Sequence, residues 1–172
     1  MNPDPGRLAL VTGAGGDLGA PLVAALRQAG WQVRAHEGST LDRDGLTAAA
    51  AGADVVFHLA ERPDDGFADP IGSHLENAEA TLAVLEAARA AQVRRVVYAS
   101  SWQAAEATTL HAIQKRAGEL YCQLYYRLHG LETISLRYPP GFSEGDAAQA
   151  TYRAADGDEG VGAVVTAEKP RS

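Results

Sequence analysis

The chain is poor in cysteine and contains no long apolar run. Its 172 residues include one cysteine, Cys122, so an intrachain disulfide cannot form and a reducing compartment is favoured. Cys122 stands in a helical pattern, and we expect a small buried side chain there. No stretch approaches the roughly 20 apolar residues of a bilayer span, and the first residues do not resemble a secretion signal. We therefore expect a cytoplasmic protein that does not enter a membrane.

The chain also has fewer basic than acidic residues. Fifteen lysines and arginines stand against 22 aspartates and glutamates, a formal net charge of -7. This balance argues against a nucleic acid or an anionic membrane as the partner. A chain of this length buries one core, so we expect a single domain over 1–172, with its core at about 7–142 and a short C-terminal extension at 143–172.

What the chain does have is glycine in one informative place. An apolar run, Leu8–Val11, leads into a turn containing Gly13, Gly16 and Gly19, and a helical pattern follows to Ala29. In a dinucleotide site the first glycine allows the sharp turn, the second admits the pyrophosphate and the third lets the helix pack closely on the strand. The turn thus predicts a dinucleotide site, with an ordinary tight strand-to-helix turn as the alternative.

The second strand is predicted at 31–37 and ends in an acidic residue. Glu37 lies about 20 residues past the glycine turn, where a dinucleotide fold places the carboxylate that accepts hydrogen bonds from the adenosine ribose. Its charge would repel the additional phosphate of NADP. Glu37 therefore favours NAD over NADP, unless it is only a solvated strand end.

Strands and helices alternate along the rest of the chain. The pattern predicts an α/β fold, a Rossmann-like doubly wound parallel sheet. Further strands are predicted at 54–60, 94–101, 131–138 and 161–165, and helices at 46–51, 74–91, 110–129 and 146–155.

Three side-chain environments follow from the same pattern. His58, inside an apolar strand, is predicted to be a hydrogen-bonded core or cofactor-edge histidine, and no metal site is expected. The loop at 61–70 follows a strand at the carboxyl end of the sheet, the edge where ligands bind in open α/β sheets, but each of its carboxylates is expected to be solvated. The helix at 110–129 should bury an apolar stripe, which consists of Leu110, Ile113, Ala117, Leu120 and Leu124.

A set of motifs arrives in the order of a known family. Together they resemble the extended short-chain dehydrogenase/reductase family, and within it the NAD-dependent epimerase/dehydratase group, over about residues 7–142. The motifs are Thr12-Gly13-x-x-Gly16-x-x-Gly19, Val56-Phe57-His58-Leu59-Ala60, Asn77, Val97-Tyr98-Ala99-Ser100-Ser101, Lys115 and Leu136-Arg137-Tyr138-Pro139.

The resemblance implies cofactor-binding roles for individual residues. Asp17 and Leu18 would lie against the pyrophosphate and Ala60 along the cofactor. Asn77 would lie in the helix that supports the site, and Pro139 near the nicotinamide.

It also implies a catalytic set, with one departure from the family. Ser101 would hydrogen-bond the substrate, and Lys115 would bind the nicotinamide ribose. The family's Tyr-x-x-x-Lys reads here His111-Ala112-Ile113-Gln114-Lys115. Imidazole can transfer protons near neutral pH, so His111 is a candidate acid–base residue, with a non-catalytic histidine at the helix start as the alternative.

Three parts of the family pattern are expected to be absent. They are the third strand, the longer loop between Ser101 and His111, and most of the substrate domain beyond Gly141.

The functional prediction is a small NAD-binding enzyme acting on a small-molecule substrate, either an oxidoreductase or a redox-neutral dehydratase, isomerase or cyclase. A catalytically inactive dinucleotide-binding or partner-binding module is the alternative. A homodimer is also expected. It is implied by the family's helix pairing and indicated by two apolar faces on the helix at 74–91 and by tyrosines at 121, 125 and 126.

Overall fold

The computed structural model describes residues 6–62 and 67–168, and these residues form one parallel β-sheet with helices on both faces. All strand pairs are parallel, in the spatial order β2-β1-β3-β4-β5-β6. The α/β doubly wound prediction is therefore confirmed. The strands are β1 (Leu8–Thr12), β2 (Gln32–His36), β3 (Val55–His58), β4 (Arg95–Ser101), β5 (Glu132–Tyr138) and β6 (Ala163–Thr166).

The helices are α1 (Gly19–Gln28), α2 (Arg43–Ala50), α3 (Pro70–His74), α4 (Ala80–Ala90), α5 (Leu110–His129) and α6 (Glu144–Arg153), with a π-helical turn (Leu75–Glu79) joining α3 to α4 and a 3₁₀ turn (Trp102–Ala105) after β4. Four of the helices described, α2, α3, α5 and α6, begin at a side-chain cap, whereas α1 and α4 do not. Asp42, Thr109 and Ser143 each accept a hydrogen bond from a backbone N–H of the first turn, and Gly130 ends the longest helix in the left-handed conformation at φ 67°.

The side chains of each strand point alternately to the two faces of the sheet, and helices cover both faces. Val11, Phe57 and Val97 point into one core, which α1 and α6 cover. Their neighbours Leu10 and Val96 point into the other core, which α2, α4 and α5 cover. Burial on both sides explains why these strands read as continuous apolar runs.

The two edges of the sheet are β2 and β6, and both were indicated by the sequence. Between β2 and β3 the chain forms only α2, so β2 is the edge strand and the expected absence of a third strand is confirmed. At the opposite edge β6 pairs with β5, and α6 packs against α1. Residues 144–166 thus continue the same sheet and its helical layer.

The prediction of a buried apolar stripe on α5 is wrong. Ile113, Leu120 and Leu124 are 41–52% exposed. The side of α5 that faces the sheet instead carries polar and small residues, and its polar side chains hydrogen-bond to neighbouring strands and to the π-helical turn. The buried residues are Ala112, Gln114, Lys115, Gly118, Glu119, Cys122 and Tyr125.

The prediction for the helix at 74–91 also needs correction. Both of its apolar faces are buried within the chain, because α4 packs against the sheet, α2 and α5. A partner subunit is not needed to cover them. Tyr125 is buried as well and donates its hydroxyl to Glu86, whereas Tyr126 is 39% exposed.

Cys122 is buried as predicted, and burial raises the pKa of its thiol to about 12. In the described ranges, no helix combines the length and apolar character required to cross a bilayer.

Candidate active site

A groove crosses the carboxyl edge of the sheet at the point where the strand order reverses. From β1 the chain moves to one side to form β2 and then to the other to form β3, which opens a crevice between the ends of β1 and β3. Two cavities of about 510 and 650 Å³ lie there, and Gly13, Ala60 and Glu61 line both of them. The two cavities therefore form the two halves of one groove.

The glycine turn forms the wall between these halves. Gly13 has φ +70°, and a Cβ there would come within 2.7 Å of the Ala60 backbone nitrogen. A Cβ on Gly19 would overlap the Gly13 carbonyl oxygen, so α1 can start this close to β1 only with glycine. Gly16, Asp17 and Leu18 line the groove beside the first turn of α1. The predicted turn is thus built as a cradle at a helix N-terminus.

The first half of the groove lies next to β2. Glu37 follows the last residue of that strand, is exposed, and lines this half. It is joined there by His36, whose ring nitrogen Nε2 lies 3.3 Å from the Ser39 carbonyl oxygen, and by Glu76 from the π-helical turn. Glu37 is therefore located where the sequence pattern required a ribose partner.

His58 lies under the floor of the groove and is a hydrogen-bonded core histidine, as predicted. It is 1% exposed, and its Nδ1 and Nε2 lie 2.8 and 3.1 Å from the hydroxyls of Thr12 and Thr81. Burial, with a smaller contribution from the charge of Lys115, lowers its pKa to about 3. The Thr12 hydroxyl also accepts a hydrogen bond from the Ala60 N–H, which fixes the start of the groove-lining segment.

The second half of the groove contains Lys115. Its side chain is 5% exposed, and its ammonium donates to the Ala99 carbonyl oxygen at 2.7 Å and pairs with the Glu61 carboxylate at 2.6 Å. The same carboxylate oxygen lies 3.9 Å from Nε2 of His111, one helical turn before Lys115. Burial acts to raise the pKa of Glu61, but the ammonium of Lys115 outweighs it and holds this pKa below its ordinary value.

The two serines at the end of β4 have different surroundings. Ser100 lines the groove and donates to Glu119, which is fully buried and also accepts two hydrogen bonds from Arg137. Ser101 does not appear in the lining of either cavity, and its hydroxyl oxygen accepts the Gln103 N–H at the start of the 3₁₀ turn. The Ser101 hydroxyl does not act as a donor in this contact, whereas the Ser100 hydroxyl donates its hydrogen bond to Glu119.

Two other predicted residues lie next to the groove without lining it. Asn77 is buried in the π-helical turn, where its Oδ1 accepts the Arg62 N–H and its Nδ2 donates to the Arg62 carbonyl oxygen. It thereby fixes the backbone that follows Glu61. Pro139 follows β5, and the neighbouring Tyr138 lines the groove instead.

Glu61 is the residue that sequence reasoning missed. The expectation of a solvated carboxylate is wrong for it, because it is paired with Lys115 inside the groove. A signal was available, since Glu61 directly follows Ala60 at the carboxyl end of a buried strand. The pattern alone could not show that residue 115, more than fifty positions away, would meet it.

The residues present fit a dinucleotide, and they restrict how its phosphates could be held. Of the residues that line the groove in the described part of the chain, Lys115 is the one with a permanent positive charge, whereas Asp17, Glu37, Glu61 and Glu76 are acidic. Phosphate recognition would therefore depend on backbone N–H groups at the glycine turn and the N-terminus of α1. Glu37 would hold the adenosine ribose and Lys115 the second ribose.

Fold and groove define a dinucleotide-binding protein, and comparison with known proteins identifies its family. The family described as "NAD dependent epimerase/dehydratase family" matches residues 9–157. The chain belongs to this family.

Individual relatives agree with this assignment. The L-arabinose 1-dehydrogenase (NAD(P)(+)) of Haloferax volcanii is 31% identical in an alignment of 165 positions that covers 74% of this chain and 64% of that protein. A short-chain dehydrogenase/reductase superfamily protein from Agrobacterium tumefaciens, solved with bound NAD, is 31% identical with a TM-score of 0.72, over 77% of this chain and 49% of that one.

A third similarity concerns the fold alone. The UDP-N-acetylglucosamine 4-epimerase from Methanobrevibacter ruminantium is 18% identical, with a TM-score of 0.82 over 94% of this chain and 76% of that one. The present chain thus spans between about half and three quarters of the length of these relatives.

Proposed function

We propose that the protein is an NAD-dependent oxidoreductase that acts at a hydroxyl-bearing carbon of a small polyhydroxylated substrate. The observation that carries this proposal is the placement of Lys115 at one end of a groove whose other end holds Glu37. His111 lies beside the Lys115 end, one helical turn before Lys115 and 3.9 Å from the groove-lining Glu61. A candidate proton-transfer group thus lies next to the crevice that would recognise the cofactor.

Each residue has a part in this proposal. Glu37 accepts hydrogen bonds from the adenosine ribose, and Lys115 donates to the second ribose. His111 accepts the proton of the substrate hydroxyl, and Ser101 donates a hydrogen bond to the same oxygen. The bound nicotinamide supplies the acceptor for the hydride that leaves the carbon as the carbonyl forms.

The preference for NAD over NADP is part of the proposal. Glu37 places a negative charge near the position of the 2′-phosphate of NADP, and no lysine or arginine lines that half of the groove among the described residues. An unpaired phosphate beside a carboxylate would weaken NADP binding.

The substrate class is supported by the relatives. One of them, 31% identical, is named as an L-arabinose 1-dehydrogenase. We therefore propose a sugar or sugar derivative as the substrate.

Turnover tests the proposal directly. The purified protein is mixed with NAD and a panel of aldoses, sugar acids and UDP-sugars, and the absorbance of NADH is followed. We expect NADH with at least one substrate, a loss of about 100-fold or more in His111→Ala, and no loss in the exposed control His74→Ala. Product without net NADH would indicate redox-neutral chemistry, and NAD binding without any product would favour an inactive module.

We also propose a homodimer built on the exposed side of α5. Four apolar side chains along that helix are 41–66% exposed, namely Ile113, Leu120, Leu124 and Leu128. Such a stripe is typical of an interface. Sedimentation should give twice the chain mass at micromolar concentration, and Leu124→Glu should shift it toward one chain mass while Gln123→Glu should not. A wild-type mass of one chain would contradict the dimer.

The compartment follows from the cysteine. We propose the cytoplasm, because the one thiol of the chain is buried and reduced. Recovery of the native protein in the membrane-free cytosolic fraction would support this assignment, and recovery outside the cell would contradict it.

A further inference from the structure

The Glu61 carboxylate lies between two groups that differ in charge. One of its oxygens is 2.6 Å from the Lys115 ammonium and 3.9 Å from Nε2 of His111. The Glu61 side chain is 37% exposed and reaches both halves of the groove. The Glu61 side chain therefore contacts the buried Lys115 ammonium and is also accessible from the groove, where a substrate would bind.

Two features of α5 disfavour a positive charge on the ring of His111. His111 is the second residue of α5, where the helix dipole disfavours a positive charge, and Lys115 adds a full positive charge one turn further along the same helix. Glu61 places a negative charge 3.9 Å from the ring and opposes both effects. A neighbouring anion stabilises imidazolium relative to neutral imidazole.

The carboxylate is held in place from both sides. Lys115, which holds it, is itself anchored by its hydrogen bond to the Ala99 carbonyl oxygen at 2.7 Å. The peptide after Glu61 is fixed by Asn77, which bonds both the N–H and the carbonyl oxygen of Arg62 at 2.7 and 3.1 Å. The pairing with Lys115 also keeps the carboxylate ionised, since it lowers the pKa of Glu61.

We propose that Glu61 is a positioning residue of the proton-transfer site, whose carboxylate stabilises the protonated ring of His111 while Lys115 holds that carboxylate in place. The inference rests on the proposed function. In the oxidation of an alcohol, His111 would accept the hydroxyl proton, and a bound nicotinamide would supply the acceptor for the hydride as the C–H bond breaks and the carbonyl forms. Glu61 remains ionised throughout and takes no proton itself.

The ring titration of His111 in the protein without cofactor tests this inference separately from activity. The chain has five histidines, and the His111 resonances are assigned in NMR spectra by comparison with His111→Ala. Removing the anion destabilises imidazolium, so Glu61→Gln should lower the pKa of His111 by about one pH unit. Glu79→Gln removes the same charge outside the groove and should leave it unchanged.

Glu61→Asp keeps the negative charge and should retain most of the wild-type value. This variant separates the effect of charge from a general disturbance of the site. If Glu61→Gln and Glu79→Gln give the same His111 titration as the wild type, the inference is wrong.

The pH profile of turnover gives a second readout. Because His111 must be neutral to accept a proton, the acidic limb of kcat/KM should move to lower pH in Glu61→Gln, with a reduced plateau. An unmoved limb would overturn the inference. Failure of the wild type to bind NAD would instead overturn the proposed function, and the ring titration would still report on the contact between Glu61 and His111.

Discussion

The two halves of the groove are built by different means. The half beside β2 is lined mainly by residues that are close in sequence, namely the start of the glycine turn and the loop that follows β2. The half beside β4 is lined by the rest of the glycine turn and by side chains from distant segments, in which Lys115 of α5 meets Glu61 after β3 and the Ala99 carbonyl of β4.

This difference distinguishes the glycine turn, which shapes the groove, from the charged side chains, which would carry out chemistry in it. A turn that requires glycine is specified locally, because a Cβ would collide with neighbouring backbone. A network of buried charges is specified only when several elements have docked. We therefore expect the glycine turn to tolerate few changes of shape and the charged half beside β4 to tolerate few changes of charge.

The largest effect is expected from the buried charge of the second half. Glu119 is fully buried and pairs with Arg137, so Glu119→Gln leaves an uncompensated guanidinium and should lower the free energy of unfolding by about 3–5 kcal/mol. Arg116, the half-exposed partner of the same carboxylate, is the control, and Arg116→Ala should cost less than about 1 kcal/mol. Urea unfolding measures both.

The same carboxyl group gives a pH dependence of known sign. Burial acts to raise the pKa of Glu119, but hydrogen bonds from Arg137, Ser100 and Arg116 outweigh it and lower this pKa below its ordinary value of 4.5. A depressed pKa means that the stabilisation is present above the unfolded value and is lost as pH falls through the folded one. Glu119→Gln should therefore lose less stability than the wild type below about pH 4.5. If the free energy of unfolding of the wild type and of Glu119→Gln changed with pH in parallel, the lowered pKa of Glu119 would be contradicted.

The next effect concerns the shape of the glycine turn, which lines both halves. Gly19→Ala would overlap the Gly13 carbonyl oxygen and should lower the free energy of unfolding by about 1–3 kcal/mol. Gly15→Ala is the matched control for stability, since a Cβ there meets nothing within 4 Å. Thermal unfolding of the two variants makes the comparison, and equal midpoints would show that the close approach of α1 to β1 is not specified by glycine.

A smaller effect is expected from His58, which lies under the floor of the groove. His58 has a pKa of about 3 in the folded protein against 6.5 as its ordinary value, so the unfolded chain binds a proton first as pH falls. Stability is therefore present above about pH 6.5 and declines below it, by at most about 1.4 kcal/mol per pH unit from this group. His58→Asn should flatten the curve between pH 6 and pH 4, roughly the window between these two pKa values. An unchanged slope would mean that the His58 pKa is near its ordinary value.

These contrasts explain how far the sequence could be interpreted. Strand and helix order, the glycine turn and the edge position of β2 depend on local patterns and were predicted. The outward stripe of α5 was not, because spacing shows that apolar residues share a face but not whether that face meets the sheet. On α5 the sheet-facing side is filled by Glu119, Lys115 and small residues, and that choice depends on Arg137 of β5 and on Glu61.

The candidate site shows the same limit. Lys115 and Glu37 line the groove because their motifs fix both their elements and their register. Ser101, Asn77 and Pro139 lie beside it, since a motif places a residue at the end of an element without fixing the direction of its side chain. Their direct contacts with cofactor and substrate stay predictions.

The most direct measurement is calorimetric titration of the purified protein with NAD and, separately, with NADP. The account predicts NAD binding with micromolar affinity, weaker NADP binding, and a loss of about tenfold in NAD affinity in Glu37→Ala, the magnitude of one hydrogen bond to a charged group. Binding of NADP as tight as that of NAD, or no binding of either, would contradict it.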